Sequence, residues 1–461
     1  MTVPKNSKIA VLGGGLAGLS AGCALADAGM QVTLFERRPY LGGRASSYEH
    51  PGTNETVDNC QHVLLGCCTN LIDFYRRLGV QDKIRWFEKL NFIEPGGRVS
   101  ELGPSFLPAP FHSTPSFMRA KFLSFGDKDA IARGLLALMP GLPAETEENF
   151  LCWLERHGQT PRAIQRFWEP VLVSALNESL NRMSVHYAAQ VFRESFLKSA
   201  AAGRMGVPSV PLSDLYSVAG EYIQKRSGEV LLRSSVESLR IASSAVEVSA
   251  TGKVASFDYV ISTVPFDVLA KLLPADSADG LPQKLQRFET SPITGIHLWF
   301  DRKVTDLPHA VLLDRTIQWM FNKSALHQRQ SGEQQAGSYL ELVVSSSKTL
   351  VERSKQDILD LALTELKEFV LAVADAKVVK STVIKEIKAT YSALPMSDDY
   401  RPQAATAWPR FFLAGDWTAS GWPATMEGAV RSGYKAADAL LGSHSNLKDD
   451  LPASGLMRIF G

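Results

Sequence analysis

Gly13, Gly15 and Gly18 follow the apolar run Ile9 to Leu12 in a G-x-G-x-x-G order. The first glycine permits a tight turn, the second lets the backbone approach a pyrophosphate, and the third lets a helix pack on the strand. Leu16 and Ala17 fall inside that turn, and the Ala/Leu-rich stretch Leu19 to Ala28 predicts a helix whose N-terminal amides face the phosphates. "QVTLFER" predicts the next strand, with Glu36 at its end and Arg37 beside it. Glu36 lies eighteen residues beyond Gly18, near the spacing of about 20 expected of a carboxylate that binds a ribose 2′-hydroxyl. The plain alternative is a tight turn in a strand-helix unit that binds nothing. The ordered succession of strand, turn, helix, strand and acid weighs against it.

Two further segments carry glycines where a cofactor could approach. Gly42, Gly43, Arg44 and Ala45 follow within ten residues of Glu36; the paired glycines free the backbone, and the Arg44 fork can neutralise pyrophosphate charge. Near the other end, "RFFLAGDWTASGWPATMEGAVRSGYKAADALL" predicts a buried strand Phe411 to Ala414, a turn at Gly415 and Asp416, and an amphipathic helix from Glu427 to Leu441. These stretches resemble the signatures of the flavin amine oxidase and phytoene desaturase superfamily. The resemblance implies non-covalently bound FAD, with Asp416 on the ribityl chain or a phosphate-linked hydroxyl. It also implies that Ala424 and the amides of Met426, Glu427 and Gly428 stand at the isoalloxazine, where a helix N-terminus stabilises negative charge. Within "GEVLLRSSVESLRI", read as one strand, the resemblance assigns Val236 a backbone contact to the adenine. "FDYVISTVP" reads as the strand that closes the nucleotide domain.

The catalytic candidates lie in "VDNCQHVLLGC". Relatives carry a glycine near the position of Cys60; here Cys60, Gln61 and His62 offer side chains, which argues against amine-oxidase chemistry. The whole chain is most similar to the bacterial hydroxysqualene dehydroxylase family, the squalene-associated FAD-dependent desaturases. That resemblance implies hydride delivery from reduced flavin N5 to an allylic carbon of hydroxysqualene, loss of water, and squalene as product, in squalene and hopanoid biosynthesis. Hydroxide leaves poorly, so an acid and aromatic faces are expected. His62 is the candidate acid or the group that orients a water, against the alternative of a histidine bonded to a strand carbonyl. Asn177 could bind the hydroxyl or merely cap a turn, and Asp58 is read as bonding to the loop around Arg44. The competing reading is an FAD-dependent desaturase or oxidase of a carotenoid-like isoprenoid; a flavin-binding scaffold without turnover is the minority one.

Positioning these groups requires more than one core: 461 residues predict two or three compact units. The fold expected is α/β, a Rossmann-type FAD-binding domain with an inserted substrate domain of helices and a mixed β-sheet. Residues 1–70, 206–280 and 404–445 are assigned to the FAD-binding domain, and 71–205 (helical) with 281–403 (sheet) to the substrate domain. Residues 446–461 are read as a tail. Forty-nine basic against forty-eight acidic side chains leave +1, so no field draws in nucleic acid. Five cysteines form no CxxC pair and no zinc spacing, which predicts no metal and a reducing cytoplasm. The uncharged run Ile9 to Ala26 contains five glycines and is not read as a membrane span. Leu102 to Ala137 holds five phenylalanines and four Lys or Arg, and 104–125 is the candidate for peripheral contact with the inner face of a membrane. The partners expected are a long apolar isoprenoid and an unidentified electron donor.

Overall fold

The computed structural model describes residues 3–273, 280–327 and 337–460. Residues 274–279 of the expected nucleotide segment, 328–336 of the expected sheet segment, and residues 1, 2 and 461 lie outside the described residues.

The nucleotide end is built on a five-stranded parallel sheet ordered Glu229–Leu231, Gln31–Phe35, Lys8–Leu12, Tyr259–Ser262, Phe411–Leu413. Its strands come from near the start, the middle and the end of the chain, as a discontinuous Rossmann-type domain requires. Lys8–Leu12 is central and, from Ile9 on, wholly buried, so its residues are an unbroken apolar run rather than an alternating one. Helix Leu16–Asp27 begins directly after Gly15 and is buried along nearly all its length. It lies between the closing helix Met426–Leu441 and helix Leu212–Gln224.

"GEVLLRSSVESLRI" is two strands, not one. Glu229–Leu231 pairs with Gln31–Phe35, and the chain then turns, with Arg233 in the left-handed region at φ 55°. It restarts at Val236–Ile241 in an antiparallel meander with Val246–Ala250 and Lys253–Phe257.

The second body centres on a seven-stranded mixed sheet ordered Val378–Tyr391, Thr290–Phe300, Ser338–Ser345, Trp319–Asn322, His309–Leu312, Leu90–Glu94, Arg98–Leu102. Its one parallel pairing joins His309–Leu312 to Leu90–Glu94. The last two strands fall within 71–205, the part expected to be helical: "NFIEPGGRVSEL" is a hairpin turning on Gly96 (φ 95°) and Gly97 (φ 80°). Ile84–Phe87 is a further strand there, and it pairs with Met205–Pro208, which straddles the expected boundary at 205/206.

The helices that remain, among them Phe125–Leu138, Phe150–Arg156, Glu169–Leu176 and Val185–Phe192, pack through a ring cluster of Phe150, Trp153, Phe167, Trp168 and Phe192. The end of the chain is docked rather than trailing. Leu456 N–H donates to the Ala109 carbonyl at 2.9 Å, Met457 is fully buried, and Arg193 donates to the Phe460 carbonyl. Among the described residues no helix is long and apolar enough to cross a membrane, and no group of three or more His, Cys, Asp or Glu is placed to hold a metal.

Candidate active site

One cavity of about 980 Å³ runs from the Rossmann turn into the space between the seven-stranded sheet and the helices. That is the upper end of ordinary ligand-site size. At its nucleotide end the glycine turns near Gly15 and Gly42 meet: the two residues form a parallel bridge, and Gly42 N–H donates to the Gly14 carbonyl at 2.8 Å. A side chain has no room there. A Cβ on Gly18 would stand 1.9 Å from the Gly13 carbonyl oxygen, and one on Gly43 would stand 2.9 Å from the Gly15 Cα. Helix Leu16–Asp27 has no side-chain cap, so its first amides are left for a ligand.

Glu36 is held ready by the main chain. One carboxylate oxygen accepts from Gly14 N–H at 2.7 Å and the other from Arg38 N–H at 2.7 Å. Arg37 is exposed at the rim, whereas the Arg38 side chain clamps the Gly43 carbonyl at 2.8 Å. Arg44 is paired: Nη2 donates to Asp416 Oδ1 at 2.6 Å, and Nη1 to the Ala389 carbonyl at 2.9 Å. Burial works against the guanidinium's charge, and Asp416 outweighs it and raises its pKa. The charge expected to face pyrophosphate is thus largely balanced by the acid expected to face the ribityl chain, which ties the two signatures to each other.

Gly13, Gly15, Leu16, Ala17, Glu36, Arg37, Gly42, Gly43, Arg44, Ala45, Val236, Gly415, Asp416, Ala424, Met426 and Glu427 all line the cavity. Gly18 and Gly428 do not line it; both are points of close packing. A Cβ on Gly428 would meet the Pro423 carbonyl at 2.4 Å, and its N–H is taken by Thr425 Oγ1 at 3.0 Å, the helix N-cap. The Gly428 amide therefore does not face the cavity, contrary to expectation. Glu427 turns its carboxylate to the start of helix Thr69–Leu78, accepting from Asn70 N–H at 3.1 Å and Leu71 N–H at 2.8 Å.

Beyond the nucleotide end the lining is largely apolar, with Leu65, Phe92, Val191, Phe196, Ile293 and Trp319, and it is interrupted by the stretch Asn59 to His62 and by Ser174, Gln190, Glu194 and Ser195. His62 Nδ1 bonds to the Cys60 carbonyl at 2.7 Å, so Nδ1 carries the proton and Nε2 is the acceptor. Burial pushes the imidazole pKa below its ordinary value. The ring is neutral near pH 7, which suits orienting a water or hydroxyl better than acting as a charged acid. Gln61 Nε2 donates to the His62 carbonyl at 2.9 Å, and its Oε1 accepts from Lys323 Nζ at 2.9 Å.

Asn177 is 2% exposed and ends helix Glu169–Leu176 in the left-handed region at φ 52°. Its Nδ2 donates to the Ser291 carbonyl at 3.0 Å and to Thr390 Oγ1 at 2.9 Å, and its Oδ1 accepts from Ser346 N–H at 2.6 Å. Asn177 lines the cavity, but both its amide hydrogens are spent tying the helix to the sheet, so it has no hydrogen to donate to a substrate oxygen and its evident role is structural. Asp58 bonds just past Arg44, as expected, and also to a partner that was not expected. Its Oδ1 accepts from Ser47 Oγ at 2.5 Å, and its Oδ2 from the buried Lys323 at 2.6 Å.

Sequence reasoning missed three buried charged groups. Lys323 and Glu341, 3.4 Å apart, lie behind the Cys60–His62 wall. Arg401 donates to the Asp416, Thr418 and Trp422 carbonyls and so shapes the whole 416–422 loop. A signal existed for Glu341 alone, as the one charge in the β-branched run "SYLELVVS".

Residues 16–441 match the model of the family described as flavin containing amine oxidoreductase. The 15-cis-phytoene desaturase of Synechococcus elongatus is 28% identical over 96% of this chain and 97% of its own length. The zeta-carotene desaturase of a Synechocystis strain is 26% identical over 97% and 100%. Among solved structures, cyclohexylamine oxidase from Brevibacterium oxydans superposes with TM-score 0.69 at 14% identity, over 95% of this chain and 99% of that one. An oxidoreductase from Methanosarcina mazei superposes with TM-score 0.70 at 16% identity, over 92% and 98%. These structural likenesses carry the fold. With the family matched over nearly the whole chain and the glycine cradle in place, the chain belongs to the flavin-containing amine oxidoreductases and is an FAD-dependent oxidoreductase.

Proposed function

We propose that this enzyme performs the reductive dehydroxylation of hydroxysqualene to squalene. The observation that carries the reading is the Gln61–His62 pair, two oriented hydrogen-bonding groups that line the cavity beside apolar side chains such as Leu65, Phe92 and Ile293. A hydrocarbon needs nothing but apolar contact, and polar groups beside it lose water without replacement. A hydroxylated isoprenoid supplies the missing oxygen.

In this reading the amides at Gly13, Gly15, Gly42 and Gly43 and the start of helix Leu16–Asp27 hold the pyrophosphate, Glu36 the ribose, and Asp416 with Met426 the flavin end. Reduced FAD, once bound, supplies the hydride: the C–O bond breaks, a C–H bond forms at an allylic carbon, and the hydroxyl leaves with one proton as water. Gln61 donates an N–H to the departing oxygen, and His62 Nε2 accepts from the water that relays a solvent proton to it. Phe92, Phe196 and Trp319 exclude bulk water and offer ring faces to the allylic cation.

A second reading, oxidative desaturation of a carotenoid-like isoprenoid, is favoured by the identity to carotenoid desaturases along the whole chain. Anaerobic mixing separates the two. Hydroxysqualene should reoxidise chemically reduced enzyme, and His62→Ala should keep its flavin while slowing that step about 10–100-fold. Reduction of the oxidised enzyme by a polyene precursor, with no response to hydroxysqualene, would establish the second reading instead.

Access for so apolar a substrate falls to 104–125, proposed to dock peripherally on the inner face of the membrane. Phe106 is 95% exposed and Phe125, at the end of that segment, 77%, with Lys121 and Lys128 nearby in sequence. Changing Phe106 and Phe117 to Asp should abolish co-flotation with anionic liposomes; unchanged flotation would eliminate this segment.

A further inference from the structure

The wall residue Gln61 is governed from behind. Lys323 is only 1% exposed in its side chain and sits outside the cavity lining, yet its ammonium donates to two oxygens and stands within ion-pair distance of a third. Asp58 Oδ2 stands at 2.6 Å, Gln61 Oε1 at 2.9 Å and Glu341 Oε2 at 3.4 Å. Burial alone would pull the lysine toward its neutral form, but Asp58 and Glu341 outweigh it and raise its pKa. The group is therefore a fixed cation with no lone pair, and it makes neither a base nor a nucleophile.

An ammonium can only donate, so the atom of Gln61 that faces it must be the carbonyl oxygen. This settles an amide orientation that would otherwise be two-fold ambiguous. With Oε1 turned back to Lys323, the NH₂ group is left on the other side, one hydrogen on the His62 carbonyl and the second free. We propose that Lys323 is a positioning residue: it locks the Gln61 amide so that the cavity wall presents a hydrogen-bond donor, selecting isoprenoids that carry an oxygen at that depth over those that do not. The inference rests on the reading of Gln61 as a substrate-facing group, and it names what enforces that role.

Asp58 and Glu341 complete the device. With Glu341 protonated the cluster is one cation and one anion, and Asp58 keeps the ammonium from turning away. Ser47 and the Leu212 amide hold Asp58 in turn, so the lock is tied to the strand that follows Arg44 and to helix Leu212–Gln224.

The test measures binding rather than turnover. Affinities of the holoenzyme for farnesyl methyl ether, whose oxygen can only accept, and for farnesene, a hydrocarbon of the same chain length, are read from the fluorescence of the cavity-lining Trp319 and Trp422. The wild type should prefer the ether by about 5–10-fold, the worth of one net hydrogen bond. Lys323→Met should bring that ratio close to one while leaving the affinity for farnesene unchanged, because the amide is no longer held with a hydrogen toward the cavity and can turn its oxygen there instead. Gln61→Leu should do the same. Lys323→Met also strands Asp58, so the pair Asp58→Asn with Lys323→Met serves as the folded alternative and should behave alike. Lys323→Arg, which still only donates, should restore most of the preference. A preference that survives in Asp58→Asn/Lys323→Met but is lost in Gln61→Leu overturns the role of Lys323. A preference that survives in both overturns Gln61 as the contact. Failure of hydroxysqualene to reoxidise the enzyme, with the preference and its loss as described, would sink dehydroxylation and leave the lock standing.

Discussion

At the nucleotide end of the cavity the geometry is enforced by main chain that tolerates no side chain, whereas at the Asn59–His62 wall it is enforced by buried charges that tolerate no imbalance. Gly15 bridges Gly42, and Gly18 sits against the Gly13 carbonyl; no ion pair is involved in either contact. Gln61 instead takes its orientation from Lys323, whose charge is answered by Asp58, with the Glu341 carboxyl alongside. The two devices suit their ligands. A pyrophosphate is the same in every dinucleotide and can be met by a rigid backbone cradle. A substrate oxygen must be told from a methylene, and a site that hydrogen-bonds it does this best when its own groups cannot rearrange.

The contrast predicts different failures. Gly18→Val should have the largest effect, because the added Cβ would begin 1.9 Å from a carbonyl oxygen that cannot move without the turn. A strain of about 2–3 kcal/mol at the cradle lowers cofactor affinity by roughly 100-fold. The purified protein should be colourless, and added FAD should not restore the yellow absorbance; a fully flavinylated variant would contradict the cradle.

Asp58→Asn should come next, and it should fail in stability before cofactor content. Burial works to raise the Asp58 carboxyl, yet Lys323 and the Ser47 hydroxyl bring it down to about 2. Removing that charge leaves a buried ammonium beside a Glu341 carboxyl whose pKa burial raises to about 7, at a cost of about 3 kcal/mol. Thermal denaturation should show a midpoint several degrees lower, and adding Lys323→Met should recover much of the loss. If the double variant is as unstable as the single one, charge balance is not what organises this wall.

The legibility of each region follows from how it is built. Backbone cradles demand glycine at fixed intervals close in sequence, so Gly13, Gly15, Gly18, Gly42 and Gly43 announced themselves, and the discontinuous α/β fold followed from where such turns recur. Gly428 was misread because a glycine at a helix start can either admit a ligand or pack on a neighbouring carbonyl, and spacing does not distinguish the two. The charge cluster joins residues 58, 61, 323 and 341, and nothing local marks Lys323 at the end of "WMFN" as buried. Asn177 was ambiguous for the same reason, since an Asn between helices both ends helices and binds ligands. Its partners on two sheet strands and the loop after Ser345, which decided the matter, lie more than a hundred residues away.

Glu341 offers the finest test of the comparison, because it should matter through pH alone. Burial raises its carboxyl to about 7 even though Lys323 pulls it down. The folded protein thus keeps a proton there that the unfolded chain releases above its ordinary value of 4.5. The stability this contributes is complete below that ordinary value and is lost as pH rises through 7. Glu341→Gln resembles the protonated acid at every pH and leaves the Asp58–Lys323 pair intact. Its melting temperature should match the wild type at pH 5 and exceed it at pH 8 by about 2–4 °C, while no such pH-dependent gap should follow from a substitution confined to the glycine cradle. Parallel pH profiles for wild type and Glu341→Gln would mean that the carboxylate is already ionised in the folded protein. The wall would then carry one net negative charge, and Lys323 would be shared between two anions instead of held by one.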